Sequence, residues 1–215
     1  MLMDLIKLDG IGYLMVSSKH KILSTAYLAP IGYYSILLKY PYSEIEQFEN
    51  FIKQSIRNRC NIYGANGKLR LTVPKERNKS SKILIKDIKI SYDTDWQKNH
   101  WKSISSAYQS SSYFEFYEHL IYPLYEKKVK FLFDLNTKLQ KIIFDCLQLT
   151  DHSSLTSKFD NNIKNENLRN FNFNLSNQKA YKQVFENKFG FIPNLSILDL
   201  LFNLGPESNE YLNNV

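Results

Sequence analysis

Residues 49–74 read ENFIKQSIRNRCNIYGANGKLRLTVP. Two short runs, CNIYG and KLRLTVP, carry apolar and β-branched residues and are joined across Ala65-Asn66-Gly67. The stretch therefore reads as a β-hairpin, with Asn-Gly supplying the positive φ angles that a tight reversal needs. Just before it stand Glu49, Lys53, Arg57, Asn58 and Arg59. A hairpin is rigid backbone, and polar side chains at its mouth are held at fixed positions. The segment is a candidate edge of a site, although no residue in it names a reaction.

Upstream, Ile22 to Tyr27 reads as a buried strand that turns through Leu28-Ala29-Pro30-Ile31-Gly32 into a short apolar helix, YYSILLKY, closed by Pro41. Such a strand-to-helix turn presents free N–H groups and can hold an anion, but this one is not glycine-rich and has no P-loop lysine. Ser43 to Phe48 reads as a second strand. Downstream, KILIKDIKISY (82–92) alternates as a strand does, with a register break near Asp87 that a bulge would explain.

Beyond residue 92 the pattern becomes helical. Thr94-Asp95-Trp96-Gln97 and Ser112-Tyr113-Phe114-Glu115 both match a capping box. The first helix puts Trp101, Ile104 and Tyr108 on one face. The second puts Tyr113, Phe116, Tyr117, Leu120 and Leu124 on a stripe, with Pro123 ending or kinking it. A third runs from Phe131 to Leu149, with Leu132, Leu135, Leu139, Ile142 and Cys146 at core spacing. Residues 151–176 are rich in Asn, Ser, Lys and Asp and read as a flexible polar loop. LSILDLLFNLG then reads as a docking helix capped by Ser196 and closed by Gly205-Pro206. The expected class is α/β: an N-terminal mixed β-sheet with a hairpin, packed by a layer of α-helices, with the C-terminal helix docking back.

At 215 residues the chain is long enough to bury a core without staples. Its 15 Tyr, 14 Phe and 2 Trp suit either an aromatic core or a cleft for sugars or bases. A net charge of +7 permits an anionic partner. The basic residues are dispersed and form no nucleic-acid-binding motif. Two cysteines exclude a disulfide framework and point to a reducing, cytoplasmic setting. Leu5 to Val16, interrupted by Lys7 and Asp9, is too short and mixed for a membrane span, so no stable membrane insertion is expected. Residues 1–20 read as an extension, with Met15 an alternative start, ahead of a single domain over 21–215.

Among candidate catalytic groups His100 stands first, because a neutral imidazole can take a proton from an amine or hydroxyl near pH 7. Cys60 could meet it in space but reads more readily as a small core residue. Arg57 and Arg59 could clamp a phosphate, or else pair with Glu46 or Glu49. Asp199, inside an apolar run, must cap, pair with a cation or face a site. The four histidines are too scattered for a zinc site, so no metal and no cofactor are expected. Asp93-Thr94-Asp95 has the spacing of a glycosyltransferase metal motif but lies at a helix start, where a cap explains it.

The segment FENFIKQSIRNRCNIYGANGKLRLTVP, with STAYLAPIGYY before it, DWQKNHWKSISSAYQSSSYFEFYEHLIYPLYE and FLFDLN after it, and LSILDLLFNLGPES near the end, resembles the WbqC-like protein family. The resemblance covers roughly residues 21–149 and 189–212. It implies a place in bacterial O-antigen or other surface-polysaccharide biosynthesis, and transfer of glycine or a related acyl group to an amino sugar. The matched positions are Tyr27, Pro30, Lys53, Asn58, Arg59, Gly64, Gly67, Trp96, His100, Trp101, Tyr108, Asp199, Gly205 and Pro206.

On that footing His100 is expected to take the proton from the attacking amine and Asn58 to stabilise the oxyanion. Lys53 and Arg59 would bind phosphates; Trp96, Tyr27 and Tyr108 would stack on a sugar or base; Asp199 would face the site. The partner would be a sugar nucleotide or glycan precursor. The donor would be an aminoacyl-tRNA, which the charge suits, or an amino acid activated by another route. The alternative is a non-catalytic protein of the same pathway that holds the glycan.

Overall fold

The computed structural model describes the backbone of strands β1 (Met3–Lys7) and β2 (Tyr13–Ser17), and residues 20–77, 82–161, 166–173, 175 and 178–215. The fold is mixed α/β, as the sequence implies, with its strands distributed over three small sheets. β1 and β2 pair antiparallel. β3 (Ile22–Ser24), β4 (Glu44–Glu46) and β7 (Ser154–Leu155) form a parallel sheet with β4 in the middle. β7 comes from the polar stretch 151–176. β5 (Arg59–Gly64) and β6 (Gly67–Thr72) form the hairpin, a two-stranded sheet of its own.

The reversal lies where the sequence places it, but Asn66 is not its left-handed residue. Gly64 pairs with Gly67, and Gly67 alone takes a positive φ, 92°, which suits a loop closed by a glycine bulge rather than an Asn-Gly turn.

β3 runs through Leu28, at φ 43°, into α1 (Ile31–Lys39). The first N–H groups of α1 are not open to an anion. Ile31 N–H donates to the Leu195 carbonyl (3.0 Å) and Gly32 N–H to Asn194 Oδ1 (2.9 Å). The turn is a docking point for the C-terminal segment.

Residues 82–92 are not a continuous strand. Isolated bridges at Leu84, Lys89 and Ile90 flank a 3₁₀ turn, Ile85–Asp87. With about three residues per turn, that turn brings Ile85 and Ile88 round to the same side, and both are buried. The expected bulge near Asp87 is this turn.

Helices α2 (Trp96–Tyr108), α3 (Phe114–Ile121), α4 (Pro123–Glu126) and α5 (Leu132–Cys146) start where the sequence marks them, and Pro123 separates α3 from α4. Neither capping box forms: α2 and α3 begin without a side-chain cap hydrogen bond. α3 also buries a different face. Phe114 and Ile121 are in the core while Phe116 is 67% and Leu120 40% exposed. The buried set follows the i, i+7 spacing that α5 and the last helices leave open.

α6 (Glu186–Phe189) is one short turn. α7 (Ile197–Leu204) and α8 (Ser208–Asn213) close the chain, with Ser196 Oγ accepting from Leu198 N–H and Gly205 ending α7 at φ 55°. A Cβ on Gly205 would lie 2.4 Å from the Tyr113 ring. α7 and α8 pack back on α1. No helix among the described residues is long and apolar enough to cross a membrane.

The core is built largely from aromatics. Tyr27, Tyr33, Tyr63 and Tyr108 are fully buried, and each hydroxyl has a partner. A buried phenol needs one, since an unmade hydrogen bond costs about 1–3 kcal/mol.

Candidate functional site

The hairpin sorts its side chains by alternation. Cys60, Ile62 and Leu71 are buried on the core face, whereas Lys68 and Arg70 are exposed on the other and Arg59 and Asn61 are half-buried. Arg59 is opposite Thr72 in the ladder. Its side chain therefore belongs to the outer face, one step out of phase with Cys60. Asn58 falls in phase with Cys60. It continues the pairing by accepting from Val73 N–H (2.9 Å) and donating from Nδ2 to the Val73 carbonyl (3.0 Å).

α2 places His100 on the core side. Its Nδ1 is 2.9 Å from Tyr27 Oη, which is 2.7 Å from Tyr125 Oη. The nearby Thr72 backbone is the one influence that favours its protonated form. Burial wins, and lowers the His100 pKa to about 4. The imidazole is neutral at pH 7, with Nδ1 engaged by Tyr27. Trp96 stands edge-on to it, ring centroids 5.1 Å apart. Cys60 lies in the same neighbourhood, and burial pushes its thiol far above the ordinary range, so it stays a thiol.

Four polar atoms around this end of the hairpin have no partner: Asn58 Oδ1, Arg59 Nε, Trp96 Nε1 and, on α5, Asn136 Oδ1. Asn136 Nδ2 donates to the carbonyl of Arg57, the residue before Asn58 (2.8 Å). Asn58 and Asn136 thus each commit their NH₂ to backbone and leave their carbonyl oxygen idle. As oriented, Asn58 presents an acceptor, which suits an incoming N–H or O–H rather than an oxyanion.

A second buried network lies at the other end of α2. Asp199 accepts from Tyr108 Oη (2.9 Å), Gln183 Nε2 (2.7 Å) and Tyr181 Oη, while Tyr108 Oη accepts from Tyr63 N–H (3.0 Å). Burial raises the Asp199 pKa from 3.8 to about 6 against these three hydrogen bonds. A third network is ionic. Arg57 donates to both oxygens of Glu49 at 2.6 Å, and Arg169 donates to Glu46 at 3.2 Å. Arg57 is therefore a buried structural partner, not a clamp for ligand.

The expected site is divided by these placements. His100, Tyr27, Trp96 and Asn58 gather at the hairpin's open end. Arg59 is at the same rung on the outer face, with Nε unpartnered, and Lys53 is exposed on the preceding turn. Tyr108 and Asp199 belong to the other network. Tyr27, Tyr108 and Trp96 are within 4% of full burial, so their ring faces pack on protein and are closed to stacking by a ligand in this structure. Among the described residues no group of His, Cys, Asp and Glu is placed to hold a metal ion.

The sequence profile of the WbqC-like protein family matches residues 25–176 and 162–211. The chain belongs to the WbqC-like protein family. It is also similar to the uncharacterized protein Rv1507c of Mycobacterium tuberculosis, 26% identical over 230 residues, which cover 90% of this chain and 97% of that protein. No solved structure matches it.

In this WbqC-like chain several residues of the networks escape a reading of the sequence. Asn136 had a signal: it follows Leu132 by four residues, so it falls on the apolar face of α5, where a polar residue needs a reason. Tyr125, Tyr181, Gln183 and Arg169 had none that spacing could reveal, and Glu46, expected to pair with Arg57 or Arg59, pairs with Arg169 instead.

Proposed function

We propose that this chain acts in bacterial surface-polysaccharide (O-antigen) biosynthesis in the cytoplasm, binding an amino sugar carried on a sugar nucleotide or glycan precursor and supporting transfer of glycine or a related acyl group to its amine. The observation that carries the reading is the pair of idle amide oxygens, Asn58 Oδ1 and Asn136 Oδ1. A buried acceptor without a donor is costly, and an amine supplies the missing N–H. Held directly or through a water, the amine would keep its lone pair for the acyl carbon. Lys53 and Arg59, on the neighbouring turn and rung, would meet the phosphates. His100 is a positioning residue here: it fixes the Tyr27 hydroxyl at the same end of the hairpin as Asn58.

Calorimetric titration with an amino-sugar nucleotide and its N-acetylated counterpart tests this. The free amine should bind at least about tenfold more tightly, and Asn58→Leu should erase the difference. Equal binding of the two ligands by the unaltered protein would remove the basis for the reading.

A second reading is a protein of the same pathway that holds the glycan without catalysis. The burial of His100, 6% exposed with Nδ1 on Tyr27, favours it, since a substrate proton has no open path to the ring. Turnover assays of the unaltered protein with an amino-sugar nucleotide and an activated glycine donor separate the two, because a holder has no turnover to lose.

A further inference from the structure

A pocket of about 170 Å³ opens beside the Asp199 network. Its walls are Ser110–Ser112, directly after α2, the segment around Lys182 and Glu186, and Asn203 on α7. Gln183 forms its floor and is 1% exposed, held by Asp199 and by both backbone groups of Ile192. The floor is therefore rigid, and the rim is rich in uncommitted polar groups. Among the described residues Ser110 and Ser112 have no protein hydrogen bond, and Asn203 spends only its NH₂, on the Asp199 carbonyl.

Three features define what fits. Charge comes first: Lys182 and Glu186 oppose each other, so neither an anion nor a cation is favoured. The dipole comes second. The C-terminal end of α2 carries partial negative charge, which disfavours phosphate and favours hydroxyl donors. Size comes third: a cavity of roughly 150 Å³ admits a six-membered ring.

We propose that this pocket is a saccharide subsite that takes one neutral pyranose ring. Ring hydroxyls exchange hydrogen bonds with the serine hydroxyls and Asn203 Oδ1, and the C–H face rests on Val184, the apolar member of the lining. The subsite stands apart from the hairpin end, roughly 15 Å along α2 from His100 to Ser110 at 1.5 Å per residue, and does not depend on the amine reading there.

Saturation-transfer NMR with methyl glycosides of glucose, galactose and N-acetylglucosamine provides the test. At least one should receive saturation. Ser110→Trp, at an exposed position, should fill the pocket and abolish the transfer. The double variant Ser112→Ala/Asn187→Ala should weaken binding about tenfold. Absence of saturation on all three sugars would overturn the assignment, as would saturation that persists in Ser110→Trp. The amine discrimination measured at Asn58 should survive in Ser110→Trp, so failure of one site is distinguishable from failure of the other.

Discussion

Asp199→Asn should change how stability responds to acid. Burial places the folded-state Asp199 pKa at about 6 against an ordinary 3.8. That gap of about two pH units corresponds to ~3 kcal/mol. Because the folded state holds the proton more tightly, the contribution is fully present below about pH 4 and is lost as pH rises through about 6. His100 runs the other way. Its folded pKa is about 4 against 6.5, so its contribution is present above about pH 6.5 and is lost as pH falls through about 4. The two slopes nearly cancel between pH 4 and 6.5. The variant removes one of them. Asn keeps the volume, and its carbonyl can still accept from Tyr181 and Gln183. The unfolding free energy of the wild type minus that of the variant should therefore grow by ~3 kcal/mol between about pH 7 and pH 4. Urea denaturation at a series of pH values, followed by the fluorescence of the buried Trp96, measures it. A difference constant to within ~1 kcal/mol would refute the assignment of a strained carboxylate to this position.

Arg57→Ala should destabilise by about 3–5 kcal/mol, because it strands the buried Glu49 carboxylate with both its guanidinium bonds gone. Arg57→Met with Glu49→Leu should recover most of that loss in the same denaturation assay. Burial already raises the Glu49 pKa, so the cost of Arg57→Ala should shrink as acid protonates the carboxyl. Finally, the His100 imidazole, followed by NMR, should remain neutral down to about pH 4. In Tyr27→Phe its Nδ1 loses the 2.9 Å partner, and its ring resonances should move at neutral pH.

Much of the fold is written in near neighbours. Ser196 before an apolar run, Gly205 after it, Pro123 between two helices and Gly67 in a two-strand reversal all act within one turn of chain. Their signals survived folding because nothing distant competes with them. The capping boxes of α2 and α3 show the limit: helix starts are right, yet the caps are absent, since packing had already fixed those ends. Residues 82–92 show it again, because apolar alternation cannot tell a strand from bridges around a 3₁₀ turn.

By itself, then, the sequence determined the α/β class, the hairpin, the starts of the main helices and the family, through contacts a few residues long. Tertiary structure alone decided which face α3 buries, that Arg57 meets Glu49, that Arg169 crosses to Glu46, and that Tyr108, Tyr181 and Gln183 converge on Asp199. The physical reason is burial. A charge or hydroxyl taken out of water must find a partner wherever packing puts one, and that choice is made across the chain rather than along it.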